Sequence, residues 1–378
     1  MPARPSHAAG TCTASWRAPG RVNLMGEHTD YNAGFALPFA VAQSCTAVVT
    51  LRASAGVRVR STQQPKPVEM PAAALRPDAA WVTSEQRWAA YAVGVLWVLR
   101  QRGVIDPAAG FDIELDSTVP IGAGLASSAA MCCAVAAAVN ELLEVGLSRA
   151  DLAAIADVTE NDFVGARTGG MDQLAAMLCR DRHALLCDMR TRRTQPFPFD
   201  PANAGLALLV VDSHAPHRHS DGAYRERRRS CELAAAELGV PALRDATLDD
   251  LDRLSSALLR KRARHVISEN SRVLATVQRL KAGEIRGIGP LLTDSHRSMR
   301  DDFEITVPEV DVAVDALLAT GALGARMTGG GFGGCVIGLL DSAAVDSSIT
   351  AVLDAYGRHG CAPPSWFVTS PGNGAQPA

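Results

Sequence analysis

The apolar and polar positions change period several times along the chain, and each change marks an element. Residues 43–51 and 57–61 are rich in valine and threonine with alternation, which predicts two strands. Residues 64–76 contain Pro65, Pro67 and Pro71 and predict a loop with an edge segment. Over 84–100 the apolar positions fall at helical spacing, with Trp88, Tyr91, Val95 and Leu99 on one side. Residues 111–117 alternate as a half-buried strand does. A glycine-containing loop, 119–128, then hands over to an alanine-rich run with no helix breaker before Gly146. Ser148 caps a helix running towards Asn161, with Asp151 in its first turn, and another helix starts at Met171. Residues 183–189 predict a strand, 196–201 are broken by prolines, and 206–212 form the apolar run of a buried strand. A long helix follows Tyr224, and helical patterns cover most of 248–279, 291–303, 309–318 and 343–356. Short strands are expected at 335–340 and 366–369, with a loose tail over 1–13 and a mobile one at the Pro/Gly/Ala-rich end.

Length adds a division. A chain of 378 residues exceeds what one core usually serves, so two domains are expected, 1–203 and 204–378, in the α+β class. A formal net charge of −3 leaves no basic footprint and excludes a nucleic-acid partner. The apolar stretch 129–139 is too short to span a bilayer and is closed by Asn140 and Glu141, so no membrane partner is expected. Residues 1–13 lack the long apolar core of a signal peptide. Nine cysteines are scattered without a CxxC pair, which reads as buried thiols in a reducing compartment. The expectation is a cytoplasmic monomer.

Three stretches carry candidate chemistry. A strand, a glycine loop and a helix start at 111–128 put free amides and the positive dipole end at one point, an anion site. No Lys-Ser or Lys-Thr pair follows the last glycine, and Ser127 stands where a dinucleotide loop needs its third glycine, so neither of those cradles applies. A phosphate cradle and a plain turn before a core helix both remain open for this loop alone. At 20–38, Asn23, Glu27, His28, Thr29 and Asp30 crowd between Gly20, Gly26 and Gly34, which suits the several hydroxyls of a sugar. A polar surface turn would explain those charges, but not why Arg21 precedes them in an apolar, glycine-flanked frame. Gly329, Gly331 and Gly334 satisfy GxGxxG, yet the strand pattern after them fails the dinucleotide context. His214, His217 and His219 lack a completing ligand set and read as a polar loop. The basic run Arg225, Arg227, Arg228 and Arg229 reads as a solvated helix face.

Residues 20–38 resemble the galactokinase signature almost residue for residue, with Met25 where isoleucine is usual and Ala33 where glycine is common. Pro120, Gly122, Gly124, Leu125, Ser127, Ser128 and Ala129 are similar to the phosphate loop of the GHMP small-molecule kinases, and 325–337 resembles their third motif. The stretch Gly169 to Gln173 resembles the family's Gly-x-Met-Asp-Gln, and Trp88, Tyr91 and Gly94 its Trp-x-x-Tyr-x-x-Gly. Over 16–368 the chain is thus identified as a member of the galactokinase family. The resemblance implies two mixed α/β domains of the GHMP kinase type with the active site in the cleft between them. It implies transfer of the γ-phosphoryl group of ATP, with Mg²⁺, to the anomeric hydroxyl of α-D-galactose. By the same resemblance Asp172 is the catalytic base with Arg21 beside it, and Glu27, His28, Thr29, Asp30, Gly169 and Tyr224 hold galactose. Gly122, Ala123, Gly124, Leu125, Ala126, Ser127 and Ser128 hold ATP, and Ser128 with Glu160 holds Mg²⁺. Trp88 belongs either to an aromatic core stripe or near the adenine. A kinase for a related sugar such as N-acetylgalactosamine and a non-enzymatic galactose sensor are the alternatives. The intact Ser128-Ala129 pair, with Asp172, Arg21 and Glu160 present, favours an enzyme over the sensor.

Overall fold

The alternating segment after Ala109 forms the strand Gly110–Ser117, inside a six-stranded sheet. The sheet runs Gln376–Pro377, Thr13–Asn23, Pro38–Arg52, Gly110–Ser117, Val57–Ser61, Val68–Met70, with one parallel pair, Val57–Ser61 on Gly110–Ser117. This computed structural model describes residues 12–77, 85–215 and 220–378, the side chains of 220 and 221 excepted. Helix Ser127–Leu142 packs on the strands Thr13–Asn23 and Pro38–Arg52 and against helices Ala90–Gln101, Arg149–Val158 and Met171–Leu178. Its residues from Ala129 to Val139 are buried almost without exception, which is why small apolar side chains occur all round it.

A second, antiparallel sheet has the order Gly324–Thr328, Cys335–Asp341, Leu206–Asp212, Ser365–Thr369. Leu206, Leu208 and Val210 enter the core under the first sheet, whereas Leu209 and Val211 enter a second core with helices Ser220–Leu238, Ala257–Lys281 and Pro308–Ala319. Both faces of the strand are covered, so its sequence is a continuous apolar run instead of an alternation. This is the expected α+β arrangement.

Several expectations shift. The carboxy-terminal end is ordered into the first sheet: Gln376–Pro377 pairs with Arg17 and Trp16, and Gly372 bridges Ala40. An extended backbone with free partners on a sheet edge needs no β-forming composition to pair. Arg193–Pro198 is a strand despite Pro196 and Pro198, because it is the edge of a three-stranded sheet where a missing N–H costs no ladder bond. The helix expected over 84–100 begins as a 3₁₀ turn at Arg87–Ala89 and continues as Ala90–Gln101. Ser84 itself, with His217 and His219, lies outside the described residues. All nine cysteines are free thiols, seven of them buried. Among the described residues no helix is long and apolar enough to cross a membrane.

Candidate active site

The loop 119–128 turns sharply into its helix. Gly122 and Gly124 take φ of 77° and 76°, and Ala126, just before the helix, takes 60°. A left-handed conformation at a residue with a Cβ is costly and is found where a site demands it. No side chain caps this helix start, and its first backbone bond runs from the Ala130 N–H to the Ala126 carbonyl (3.1 Å). The amides of Ser127, Ser128 and Ala129 therefore lack an intrahelical acceptor at the positive end of the dipole. The loop lies on the strand Thr13–Asn23 at Gly20, where a Cβ would come within 2.7 Å of the Leu125 carbonyl. The next N–H, that of Arg21, donates to the same carbonyl (3.0 Å).

Arg21 is buried, and its side chain reaches across to helix Met171–Leu178. Its Nε donates to Asp172 Oδ1 (2.7 Å) and its Nη2 to Oδ2 (2.8 Å), while Nη1 donates to the Gly124 carbonyl. Burial works against the Arg21 charge, but Asp172, Glu27 and Asp30 outweigh it and raise its pKa further. Asp172 stands in the first turn of its helix, behind a left-handed Gly170, where the dipole favours a carboxylate. Glu160 lies on a π-helical turn, Thr159–Val164, a distortion common at functional sites. It is 2% exposed, and burial together with the nearby charge of Asp172 pushes its carboxyl up to about 8. Ser128 stands beside it, and its Oε1 has no hydrogen-bond partner among the described residues. An orphaned carboxylate oxygen beside a hydroxyl and a second carboxylate suits a hard cation, which takes one or two protein oxygens and borrows others from phosphate.

Arg21, Ser128, Glu160 and Asp172 line one cavity of ≈ 730 Å³, together with Gly122, Gly124, Leu125, Ala126, Ser127 and Tyr224. Trp88 and Tyr91 also line it while packing on the first core, so the aromatic stripe serves both surfaces. Ala123 is buried behind the loop.

Glu27, His28, Asp30 and Gly169 are not on that wall but connect to it. The His28 backbone is left-handed (φ 60°). Its Nε2 faces the Gly330 carbonyl (3.1 Å) and so carries the proton, while Nδ1 accepts from the Tyr31 hydroxyl (2.6 Å). Burial pushes the imidazole pKa down to about 3, which keeps it neutral. The ring packs on Tyr224, centroid to centroid 5.0 Å. A Cβ on Gly169 would overlap the Asp30 carboxylate at 2.2 Å, so only glycine admits that acid. Burial and the like charge of Asp172 push Asp30 up to about 6. Thr29 departs from its expected role: it is fully buried, and its hydroxyl is directed at the Gly26 and Phe35 carbonyls (2.8 and 2.6 Å). With its proton spent on backbone, it shapes the turn and does not face a ligand.

The turn 329–334 ties the pieces together. Thr328 exchanges hydrogen bonds with the Asn23 backbone (3.1 and 3.0 Å), and the Gly329 N–H donates to Glu27 Oε1 (2.8 Å). Beneath it, fully buried Arg326 sits 3.2 Å from Glu27 Oε1 and donates to the Leu24 carbonyl. Glu269, on helix Ala257–Lys281, accepts from the Gly26 N–H (3.0 Å), Ser295 (2.8 Å) and Arg272 (2.7 Å). Burial opposes its charge, yet Arg272 and Arg326 hold its carboxyl well below the usual range.

Three family models match: GHMP kinases N terminal domain over 90–180, galactokinase galactose-binding signature over 7–51, and GHMP kinases C terminal over 276–359. Galactokinase of Streptomyces coelicolor is 46% identical over 367 residues, covering 96% of this chain and 93% of that one. The chain belongs to the galactokinase family. Galactokinase of Haemophilus influenzae is 40% identical, covering 90% and 88%. The crystal structure of Lactococcus lactis galactokinase complexed with galactose superposes with a TM-score of 0.89 at 29% identity, covering 97% of this chain and 95% of that one. Methanococcus jannaschii mevalonate kinase, at 15% identity and a TM-score of 0.67 over 97% and 99%, shares the fold.

Within this galactokinase-family cleft, sequence reasoning missed Arg87 and Arg225 on the wall and the supports Arg326, Glu269 and His265 behind it. A signal existed for Arg326, a lone arginine in an otherwise apolar strand. Among the described residues no cluster of three or more His, Cys, Asp or Glu could hold a metal, and His214 instead bonds Pro363 and Ser365.

Proposed function

We propose that this protein phosphorylates α-D-galactose at its anomeric hydroxyl with ATP, giving α-D-galactose 1-phosphate and ADP. The observation that carries the reading is Arg21 holding both oxygens of Asp172 while its third nitrogen holds the carbonyl of Gly124 in the phosphate loop. One side chain thereby spans the acceptor's base and the donor's cradle. The family, the galactose-binding signature and the galactose-bound relative support the sugar. In this reading the amides at Ser127 to Ala129 hold the polyphosphate, and Asp172 orients the acceptor hydroxyl and takes its proton as transfer proceeds. Phosphoryl transfer proceeds through a loose transition state, so alignment and charge neutralisation by Arg21 matter more than base strength. Glu27, His28, Asp30, Gly169 and Tyr224 bind the sugar, with Thr29 shaping their turn. Ser128 and Glu160 hold Mg²⁺, which when bound neutralises phosphate charge. The same reading divides the chain near Asn203, and the matches at 90–180 and 276–359 fall on either side.

The test is ADP release from ATP and Mg²⁺ across a sugar panel, with phosphorus NMR of the product. Galactose should be the preferred substrate and carry the phosphate at its anomeric carbon. Preference for N-acetylgalactosamine, or binding of galactose without ADP release, would replace this reading by one of its alternatives.

A further inference from the structure

The phosphate loop has no cation of its own: residues 119–128 contain neither lysine nor arginine. The chain has only three lysines, Lys66, Lys261 and Lys281, and none lines the cleft. Among the described residues the wall carries three guanidinium groups, those of Arg21, Arg87 and Arg225. Arg21 is already committed to Asp172 and Gly124. Arg87 stands at the aromatic end, next to Trp88 and Tyr91.

Arg225 is different from its neighbours in the basic run. Arg227 donates to the carbonyls of Phe303 and Glu304, and Arg228 to Glu232 and the Arg167 carbonyl. Arg229 is not on the wall. Arg225 alone in this run lines the cleft, is exposed, and has no hydrogen-bond or ion-pair partner among the described residues. Its place is nonetheless fixed, because the preceding residue anchors the helix. The Tyr224 ring packs 5.0 Å from His28 and 5.7 Å from Tyr31, and lies 3.5 Å from where a Cβ on Gly330 would stand. Gly329 in turn abuts Gly124 of the phosphate loop.

We propose that Arg225 is a nucleotide-binding residue: its exposed guanidinium pairs with the terminal phosphates from the wall built by helix Ser220–Leu238, while the Ser127–Leu142 helix start holds them from the other. The inference rests on the reading of this cleft as an ATP site. A triphosphate stays anionic after one divalent cation has bound, and the amides carry only partial charge. A planar fork supplies charge-assisted, bidentate contacts to such an anion. Being exposed before binding, the guanidinium gives up no hydrogen bond or ion pair among the described residues when it engages.

The test titrates the wild type, Arg225→Ala and Arg225→Lys with AMP-PNP and Mg²⁺ by calorimetry, and measures kcat/KM for ATP and KM for galactose. Arg225→Ala should bind the analogue about tenfold more weakly and lose kcat/KM for ATP to match. KM for galactose at saturating ATP should stay within about twofold, since only the phosphate contact is lost. Arg225→Lys should recover part of the loss, and the salt dependence of binding should be shallower in Arg225→Ala. Wild-type analogue affinity in Arg225→Ala overturns the proposal. So does an equal loss towards both substrates, which would mark a structural role for the helix. If the wild type released no ADP with galactose, the sugar assignment would fall while the analogue titration still decided the role of Arg225.

Discussion

Arg21 meets Asp172 through two parallel hydrogen bonds, Nε to Oδ1 at 2.7 Å and Nη2 to Oδ2 at 2.8 Å. The fork fixes the carboxylate plane and still leaves each oxygen a lone pair for an acceptor hydroxyl. Asp172→Asn keeps the shape but places an amide NH₂ against a guanidinium donor, and it can accept no proton. Turnover with galactose should fall by roughly 10²–10⁴-fold, the usual share of a general base. Galactose binding by calorimetry should survive. Near-normal turnover by this variant, purified free of other kinases, would remove Asp172 from the chemistry.

Asp30 provides a pH dependence. Burial first, and the like charge of Asp172 second, bring its carboxyl up to about 6. As pH falls through that value the group gains a proton and loses acceptor capacity for a sugar hydroxyl. With ATP saturating, kcat/KM for galactose should therefore decline on the acid side of about pH 6, because this ratio reports ionisations of the form that captures the sugar. Asp30→Asn should be weaker throughout and lack the inflection. An unchanged inflection in that variant would assign it elsewhere.

Glu160 trades stability for its role. Its carboxyl is ordinary, near 4.5, in the unfolded chain and held up to about 8 in the folded one. Between these values the folded state keeps a proton that the unfolded state has released, so stability declines as pH rises through the window. Glu160→Gln removes that term. Without metal or nucleotide, the variant should melt above the wild type at pH 8, by a few °C at roughly 2–4 °C per kcal/mol, and the gap should close towards pH 4.5. Mg²⁺ with ATP should raise the wild-type melting temperature more than that of the variant, whose turnover should be poor. A variant that melts below the wild type at pH 8 would contradict this account.

What could be read in the sequence is what is local. The strand Gly110–Ser117, the glycines after it and the helix from Ser127 are consecutive, so period, breaker and helix propensity jointly located the loop. The order of Arg21, Glu27, His28 and Asp30 was legible for the same reason. What escaped is long-range. Arg326 and Glu269 matter to Glu27 and Gly26 only because strand Gly324–Thr328 and helix Ala257–Lys281 return to them from some three hundred and two hundred and forty residues away. A buried charge must have partners, but sequence does not say which. The Gln376–Pro377 pairing escaped because composition marks a loop, whereas the open edge of strand Thr13–Asn23 decides. Thr29 was grouped with its polar neighbours although its hydroxyl turns to the Phe35 carbonyl, a choice made by the tight turn itself.

The contact between Gly329 and Gly124 concentrates this long-range dependence in one methyl group. Gly329 has φ +95°, and a Cβ there would stand 2.8 Å from the Gly124 carbonyl oxygen, a backbone atom that cannot swing aside. Gly329→Ala must therefore move either the 329–334 turn or the phosphate loop, besides adopting a conformation costing about 1–2 kcal/mol for a residue with a Cβ. Moving the turn stretches the Gly329 N–H bond to Glu27, and moving the loop disturbs the Gly124 carbonyl held by Arg21. Either shift reaches the sugar residues and the phosphate cradle together, and misplacement of about 1 Å can cost 10²-fold in rate. Gly329→Ala should thus lose roughly tenfold or more in kcat/KM for both ATP and galactose. Gly330→Ala is the control: its φ is not positive, and its Cβ would find only the Tyr224 ring at 3.5 Å, ordinary contact. Its rate constants should stay within about threefold of the wild type, as a tolerated methyl does. If the two alanine variants behaved alike, the close approach of this turn to the phosphate loop would not be what holds the two halves of the site in register.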